Sequence, residues 1–304
     1  MDLYKEITDR IIAELENGRI PWHQPWVAAG CGAQAVSHVT KKPYSLLNQF
    51  LLGRPGEYLT FKQVQKEGGR VRKGEEANMV VFWKFVEDKN KKEQSEPTDK
   101  NETSGKTIRK MIPILKRYNV FHIDQCEGIK PKFEPPVLPN AAEAVEAADN
   151  IIKTYIEREK ITLTFVEGNN AYYRPSTDTI VLPKKEQFKA TAEFYGTAFH
   201  EMTHSTGHKS RLNRIEKKAA FGNEEYSKEE LVAEIGSAAL VNQCGIETPD
   251  SVKNNAAYIQ SWLRALRDDK RFVISAAGKA EKAVKFILGE NTKTENKSEA
   301  EDYE

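Results

Sequence analysis

The sequence predicts an α+β protein in which a small-sheet α/β domain precedes a mostly helical domain. Its 304 residues are enough for two hydrophobic cores. Short β-branched and aromatic runs are frequent before residue 128, and helical periodicities are frequent after residue 140. The four prolines within residues 129–140 predict an extended linker. We therefore expect domains at residues 1–128 and 141–289, followed by a polar, disordered tail at residues 290–304.

Composition indicates a globular protein without a membrane segment. Hydrophobic residues make up 39% and charged residues 30% of the chain. No apolar run approaches the roughly eighteen residues of a membrane span, and Met1–Glu6 lacks the apolar core of a signal peptide. The three cysteines are scattered and never form C-x-x-C, so we expect reduced thiols in a cytoplasmic protein: Cys31, Cys126 and Cys244. The net charge of +1 predicts no particular partner.

The first domain begins with a predicted amphipathic helix. Four apolar side chains recur at four-residue spacing and would share one face of this helix: Leu3, Ile7, Ile11 and Leu15. Gly18 can terminate the helix. The segment Pro21–Trp26 then predicts a rigid aromatic turn, whose two tryptophans either dock the helix or face a ligand.

Two short helices and a strand are predicted next. Residues 41–52 begin with basic residues and continue as an apolar helix. Thr60 is a candidate N-cap for a helix from Phe61 to Glu67. Residues 68–74 predict a tight basic turn, and residues 79–85 predict a strand of β-branched and aromatic residues.

A polar insert interrupts the remainder of the predicted sheet. A second strand pair is predicted from residues 111–115 and 118–123. Residues 86–106 contain few apolar side chains, and they predict a disordered extension of a hairpin.

Basic and aromatic residues alternate along the first domain. The segment 41–84 contains nine Lys or Arg and four Glu, and residues 106–118 contain five basic residues and no acid. On a small sheet this pattern suits single-stranded nucleic acid, because cations follow phosphates and aromatic rings stack on unpaired bases. The alternative is that the aromatic rings are core residues and the charges are ordinary surface. The candidate DNA-binding residues are Lys42, Tyr44, Arg70, Arg72, Lys73, Trp83 and Lys84.

The sequence of the second domain predicts strands between helices. Residues 141–158 have the spacing of an amphipathic helix, and residues 162–166 predict a strand. Residues 172–183 predict two strands around a Pro-Ser-Thr-Asp turn. A helix from about residue 189 to residue 206 follows, and Gly207 ends it.

That helix carries the motif H-E-x-x-H, which is the signature of zincin metallopeptidases. His200 and His204 are one turn apart, so both imidazoles can point at one ion. The carboxylate of Glu201 is placed to accept a proton from water that the ion activates. We expect Zn²⁺ as the cofactor, with another divalent metal as the alternative.

A third metal ligand must come from elsewhere in the chain. Ser210 stands where a metzincin would have its third histidine, and His208 follows a helix-breaking glycine. Downstream, Glu230 and Glu234 share a face of a helix that Ser227 or its neighbour would cap. Their spacing resembles the gluzincin pattern, in which the first acid binds zinc and the later one orients a histidine. We favour Glu230 as the metal ligand and Glu234 as the residue that orients a ligand histidine over the swapped roles, and we expect the neighbouring Glu229 to face elsewhere.

The ordered motifs of the first domain resemble the N-terminal domain of ArdC-type antirestriction proteins of plasmids and other mobile elements. The matching motifs are Trp22-x-x-Pro25-Trp26, Tyr44…Asn48, Thr60-Phe61, Gly69-x-Val71-x-Lys73-Gly74-Glu75, Val80-Val81-Phe82-Trp83-Lys84 and Tyr118-x-Val120-Phe121-x-Ile123-x-Gln125-Cys126. The resemblance implies binding of single-stranded DNA by this domain. The second domain resembles the metallopeptidase domain of the same proteins through Phe199-His200-Glu201-x-x-His204-x-x-Gly207-His208-x-x-Arg211-Leu212 and Glu230-Leu231-Val232-Ala233-Glu234.

The expected function is that of an antirestriction protein which binds single-stranded DNA non-specifically and carries a zinc-peptidase-like site. Two alternatives stay open: a binding-only protein that protects DNA during conjugation, with a catalytically silent zincin domain, and a DNA-tethered protease. Its protein substrate would then be a DNA-bound or restriction protein. The oxyanion-stabilising group is expected among Tyr172, Tyr173, Tyr226 and His208.

Overall fold

The computed structural model describes residues 2–23, 34–87, 111–133, 139–215, 224–246 and 256–290. The first helix, α1, spans Leu3–Glu16. Its side chains Ile7, Ile11 and Leu15 are buried, as the four-residue spacing predicts. The Asp2 side chain caps the helix by accepting the Tyr4 N–H.

A four-stranded sheet forms the centre of the first half. Its strands are β1 (Ala35–Ser37), β2 (Gly56–Thr60), β4 (Asn78–Glu87) and β5 (Met111–His122), in the order β1-β2-β5-β4. Only the β1–β2 pair of this sheet is parallel. The short strands β3 (Arg70–Val71) and β6 (Cys126–Glu127) form a separate antiparallel pair.

Helices α2 (Leu46–Leu52) and α3 (Phe61–Lys66) pack beside this sheet. The predicted cap at Thr60 is confirmed. Its hydroxyl accepts the Gln63 N–H, while the Gln63 side chain accepts the Thr60 N–H in a capping box.

Strands β4 and β5 form a long antiparallel ribbon. They pair continuously from Asn78↔Val120 to Glu87↔Met111. The prediction of two strands between residues 111 and 123 is wrong, because residues 111–122 form one strand. The predicted insert begins too early, since Val86 and Glu87 belong to β4. Residues 88–106 of that insert, and the predicted tail from residue 291, lie outside the described residues.

The described residues of the second half form five helices and a three-stranded sheet. The helices are α4 (Ala141–Glu159), α5 (Thr191–Thr206), α6 (Glu224–Cys244), α7 (Ala256–Asp268) and α8 (Phe272–Leu288), and the strands are β7 (Thr162–Val166), β8 (Tyr172–Arg174) and β9 (Thr179–Pro183). The sheet order is β7-β9-β8, with β7 parallel and β8 antiparallel to β9. Helix α6 begins at Glu224, so the prediction that Ser227 or its neighbour caps it is wrong.

The two halves of the chain share a hydrophobic core. One cluster of buried side chains contains members of α1, α2 and β4 from the first half and of α6, α7 and α8 from the second. Trp22 is buried in this cluster, with its ring centroid 5.2 Å from that of Trp262 and 6.1 Å from that of Phe50. Trp22 therefore docks the turn after α1 onto the second half; Trp26 lies outside the described residues. The domain boundaries stay a prediction.

A second cluster supports the motif helix α5. Tyr195, Phe199 and Met202 of α5 are buried against α4, β9 and α6. Among the described residues, Cys126 and Cys244 are free thiols. None of the helices that the structure describes combines the length and apolar character needed to cross a bilayer.

Candidate metal centre

Helices α5 and α6 approach closely enough to share one site. At Gly236 of α6, a Cβ atom would lie 2.7 Å from the Thr203 side chain of α5, so a larger residue would push the helices apart. The next residue, Ser237, donates from its Oγ to the Gly196 carbonyl of α5 at 2.6 Å. This contact brings the acidic first half of α6 against the motif histidines of α5.

Three predicted side chains converge between these helices. His200 Nε2 and His204 Nε2 lie 3.0 Å apart. Glu230 Oε2 lies 3.5 Å from His200 Nε2, and Glu230 Oε1 lies 3.3 Å from His204 Nε2. The candidate ligand atoms of all three residues lie within 4.8 Å of one another. Two imidazole nitrogens and one carboxylate oxygen suit Zn²⁺ and related divalent ions, so these residues fit a divalent metal.

A carboxylate also faces the second ring nitrogen of each histidine. Glu234 Oε1 lies 3.7 Å from His200 Nδ1, and Glu229 Oε1 lies 3.6 Å from His204 Nδ1. Such partners orient the rings of metal-binding histidines. The expectation that Glu229 faces elsewhere is therefore wrong. Glu229 lies at the edge of the site beside His204, and Glu234 lies at the opposite edge beside His200.

Arg214, from the segment after α5, holds Glu229 in place. Its guanidinium donates to the two Glu229 carboxylate oxygens at 2.7 and 3.2 Å. It also donates to the Thr203 carbonyl and to Thr206 Oγ1, both on α5. Arg214 thus links α5 to the outer carboxylate. Sequence reasoning missed it, because its role depends on how the chain folds back after Gly207.

The electrostatics of the site favour a bound cation. Burial alone would lower the pKa of His204, but Glu229 and Glu230 outweigh it and raise that pKa to about 10. Burial would likewise raise the pKa of Glu230, but the two histidines hold it well below its usual range. Because metal binding requires a neutral imidazole, a divalent ion would compete with a proton at His204.

Glu201 lies in a different environment. Its side chain is buried, at 7% exposure, and burial raises the pKa of its carboxyl despite the nearby histidines. The backbone N–H of Tyr173 in β8 donates to this carboxylate. A buried carboxyl with a raised pKa beside two imidazoles is suited to accept and release a proton.

A buried arginine fastens strand β8 to the end of α5. Arg211 donates to both Asp178 oxygens at 2.6 Å and to the Ser205 carbonyl at 3.0 Å. Tyr173 Oη donates to Asp178 Oδ1 at 2.7 Å. The strand that contacts Glu201 is therefore fixed to the motif helix.

Three of the four candidates for an oxyanion-stabilising group, His208, Tyr173 and Tyr172, have polar side-chain atoms in contacts of their own. His208 is half-buried, and its Nδ1 lies 2.7 Å from Ser210 Oγ. Tyr173 Oη is engaged with Asp178, and Tyr172 Oη accepts a hydrogen bond from Arg174 at 3.0 Å. The side chain of Tyr226 lies outside the described residues.

The DNA-binding candidates are spread over several elements. Trp83 is 42% exposed on β4, Lys84 is half-buried on the opposite face of that strand, and Lys42 and Lys73 are exposed in loops. Arg70 pairs with Glu127 and Arg72 pairs with Glu75 on the surface.

Tyr44 requires a correction. It is 6% exposed and packs against Tyr58 and Phe82 in a core cluster. Its ring is therefore a core residue and has no open face for a nucleobase.

Two family models match successive parts of the chain. Residues 1–121 match the N-terminal domain of the anti-restriction factor ArdC, and residues 148–279 match a zincin-like metallopeptidase. The Mn(II)-bound crystal structure of the antirestriction ArdC protein from the R388 plasmid is similar with a TM-score of 0.72 and 32% identity. That similarity covers 95% of this chain and 98% of that chain. The chain belongs to the ArdC antirestriction family.

Membership of the ArdC family confirms the α+β fold with a zincin-like second half. The metal-free structure of the R388 protein is also similar, with a TM-score of 0.69 at 33% identity over 95% of this chain and 97% of that chain. Two Escherichia coli proteins named DNA primase TraC are 35% and 33% identical over 94% of this chain. This chain spans 20% and 27% of their lengths. The uncharacterized protein y4eC of Sinorhizobium fredii is 31% identical over 94% of this chain and 91% of its own length.

Together, the donor set and the Mn(II)-bound relative support a divalent metal in this ArdC-family chain. The relative contains manganese, so the identity of the metal stays a proposal.

Proposed function

We propose that this ArdC-family chain binds single-stranded DNA through its first half and hydrolyses peptide bonds of DNA-associated proteins at the candidate metal centre. The observation that carries the proposal is the buried Glu201 carboxyl directly beside the convergent group His200, His204 and Glu230. An acid of raised pKa next to a three-ligand metal site is the arrangement that metal-assisted hydrolysis requires.

His200, His204 and Glu230 would hold the ion, and Zn²⁺ is the proposed cofactor. When bound, the ion would act as a Lewis acid on water and on the peptide carbonyl. Glu234 and Glu229 would keep the two imidazoles in the orientation that binding needs, since each faces the nitrogen turned away from the ion.

Glu201 would act as general base and then as general acid. Its carboxylate would accept a proton as water attacks the peptide carbon, and it would pass that proton to the departing amine nitrogen. The Tyr173 N–H orients the carboxylate for both transfers. Burial excludes competing solvent and raises the pKa of the Glu201 carboxyl, which makes its carboxylate a stronger base for the first transfer.

Strand β8 would receive the substrate. It is an edge strand of its sheet, and its residue Tyr173 contacts the general base. An extended peptide that pairs with this edge would lie alongside Glu201. A substrate of this kind must present an unfolded segment.

Exposed aromatic and basic residues support DNA binding by the first half. Trp83 and Phe85 lie on one face of β4, at 42% and 44% exposure. Such rings can stack on unpaired bases without sequence preference, and Lys42, Lys73 and Lys84 can contact phosphates.

Cleavage of casein by the metal-loaded chain tests the peptidase. Glu201→Gln should lower turnover by about 10²–10⁴-fold, because it removes the proton acceptor but leaves the ligands. The matched control Glu193→Gln, on the same helix outside the site, should keep wild-type turnover.

Equal cleavage by wild type and Glu201→Gln would refute the assignment. Absence of cleavage by the metal-loaded wild type, with or without single-stranded DNA, would favour a binding-only protein. Cleavage that single-stranded DNA accelerates would support the DNA-tethered protease.

A further inference from the structure

A histidine from the first half lies against the metal centre. His23 is in the short 3₁₀ turn Pro21–His23 that follows α1. Its Nε2 lies 3.6 Å from Glu234 Oε2. The other oxygen of the same carboxylate, Oε1, lies 3.7 Å from His200 Nδ1. Glu234 therefore stands between a ring of the first half and a candidate ligand of the second half.

The position of His23 is fixed by the shared core. The preceding residue, Trp22, is buried between Trp262 of α7 and Phe50 of α2. The His23 N–H also donates to the Ile20 carbonyl at 3.0 Å. With its backbone held in this way, the His23 ring can reach Glu234 only while the two halves remain packed together.

The opposite side of the site has a comparable arrangement. Glu229 faces His204 Nδ1 and is held by Arg214. Glu234 faces His200 Nδ1. Among the described residues outside the site, His23 is the one whose side chain lies at ion-pair distance from Glu234. Each outer carboxylate thus has its own holding group, but one group comes from the segment after α5 and the other from the first half.

We propose that His23 is a positioning residue of the metal centre, acting on His200 through Glu234. This inference rests on the proposed metal site. Without His23, Glu234 is free to rotate away from His200 Nδ1, and His200 loses the contact that orients its ring. The coupling is reciprocal. Displacement of the first half from α6 lowers the affinity for the metal, and metal binding stabilises the contact between the halves.

Metal titration of the full chain tests the proposal, with Zn²⁺ or Mn²⁺ in competition with a chromogenic chelator. His23→Ala should weaken affinity by about three- to tenfold, less than the roughly 10–100-fold expected for Glu234→Ala. In the Glu234→Ala background, His23→Ala should have no further effect, since His23 acts through Glu234. The matched control is His208→Ala, which removes a half-buried histidine that follows α5 and whose Nδ1 contacts Ser210 Oγ; it should bind as wild type does.

His23→Gln separates positioning from folding. Its amide can still donate to Glu234, so affinity should stay within about twofold of wild type. Unchanged or tighter binding by His23→Ala, or an equal loss in the Glu234→Ala background, would overturn the inference. A wild type that binds neither metal would instead refute the metal centre itself.

Discussion

Arg211 joins three elements around one buried guanidinium. Its side chain is 1% exposed and reaches Glu159 of α4, the Ser205 carbonyl of α5 and Asp178 between β8 and β9. A buried cation of this kind is tolerated only with matched acceptors, because removal of one partner leaves charge without compensation. The geometry of strand β8 beside Glu201 therefore depends on Asp178.

Asp178→Asn should lower the free energy of unfolding by about 2 kcal/mol, below the 3–5 kcal/mol of a fully buried pair because Asp178 is partly exposed. Asparagine accepts the left-handed backbone at this position (φ of 48°), so the loss reports the charge and the second acceptor oxygen of Asp178 and not backbone strain. Urea unfolding measures it. Glu167→Gln, which removes an exposed pair with Lys184, should leave stability unchanged. Equal effects of the two substitutions would contradict the role of Asp178.

Some residue roles were accessible from the sequence and others were not. The i, i+4 spacing of His200 and His204 determines their common direction on any helix, so the motif sufficed. The prediction for Glu229 was wrong because helical spacing gives only the direction of a side chain around its own helix. The role of Glu229 depends on its contact with His204 Nδ1, which lies on another helix. His23 and Arg214 reach the site through tertiary packing that no local pattern encodes.

At the scale of elements, the ribbon β4–β5 exposes apolar side chains. Trp83 and Phe85 of β4 and Met111, Ile112 and Ile114 of β5 are all exposed. Exposed apolar residues at this density mark an interaction surface. We expect Trp83 to stack on nucleobases there.

Trp83→Ala should weaken binding of single-stranded DNA by about tenfold, since stacking contributes about 1–3 kcal/mol per base. Fluorescence anisotropy with a labelled oligonucleotide measures this loss. The salt dependence should stay that of wild type, because no phosphate contact is removed. Phe165→Ala removes an exposed aromatic ring from β7 of the second half and should not alter binding. Equal affinity of wild type and Trp83→Ala would exclude this surface.

Elements with strong local signals were predictable. Apolar spacing predicted α1, and the capping residue Thr60 predicted the start of α3. That Tyr44 is a core residue and not a DNA-binding residue could not be predicted from composition, because its burial depends on which face of β4 packs against it. The continuity of β5 was not predicted, because it depends on pairing with β4, which runs without interruption from Met111 to Val120.

For the molecule as a whole, the shared core predicts one cooperative unfolding unit. The cluster around Trp22 draws on helices of both halves, so neither half can lose its structure without exposing the buried residues of the other. The metal centre lies between α5 and α6, and α6 contributes to that same cluster.

Metal removal by a chelator should therefore lower the midpoint of a single thermal transition. At a hundredfold excess of metal over Kd, binding contributes about 2.7 kcal/mol, which corresponds to a shift of several degrees in a chain of this size. Calorimetry measures the shift, and His204→Ala should abolish it. Two transitions, with only one sensitive to metal, would contradict a shared unit.

The register of the ribbon has a consequence for length variation. Because Glu87 pairs directly with Met111, the chain leaves and re-enters the ribbon at neighbouring points. The closure entropy of a connection between such points grows only slowly with its length. Residues 88–110 therefore form a natural insertion point, where related chains or engineered reporters can gain or lose whole segments without any change in the pairing of β4 with β5.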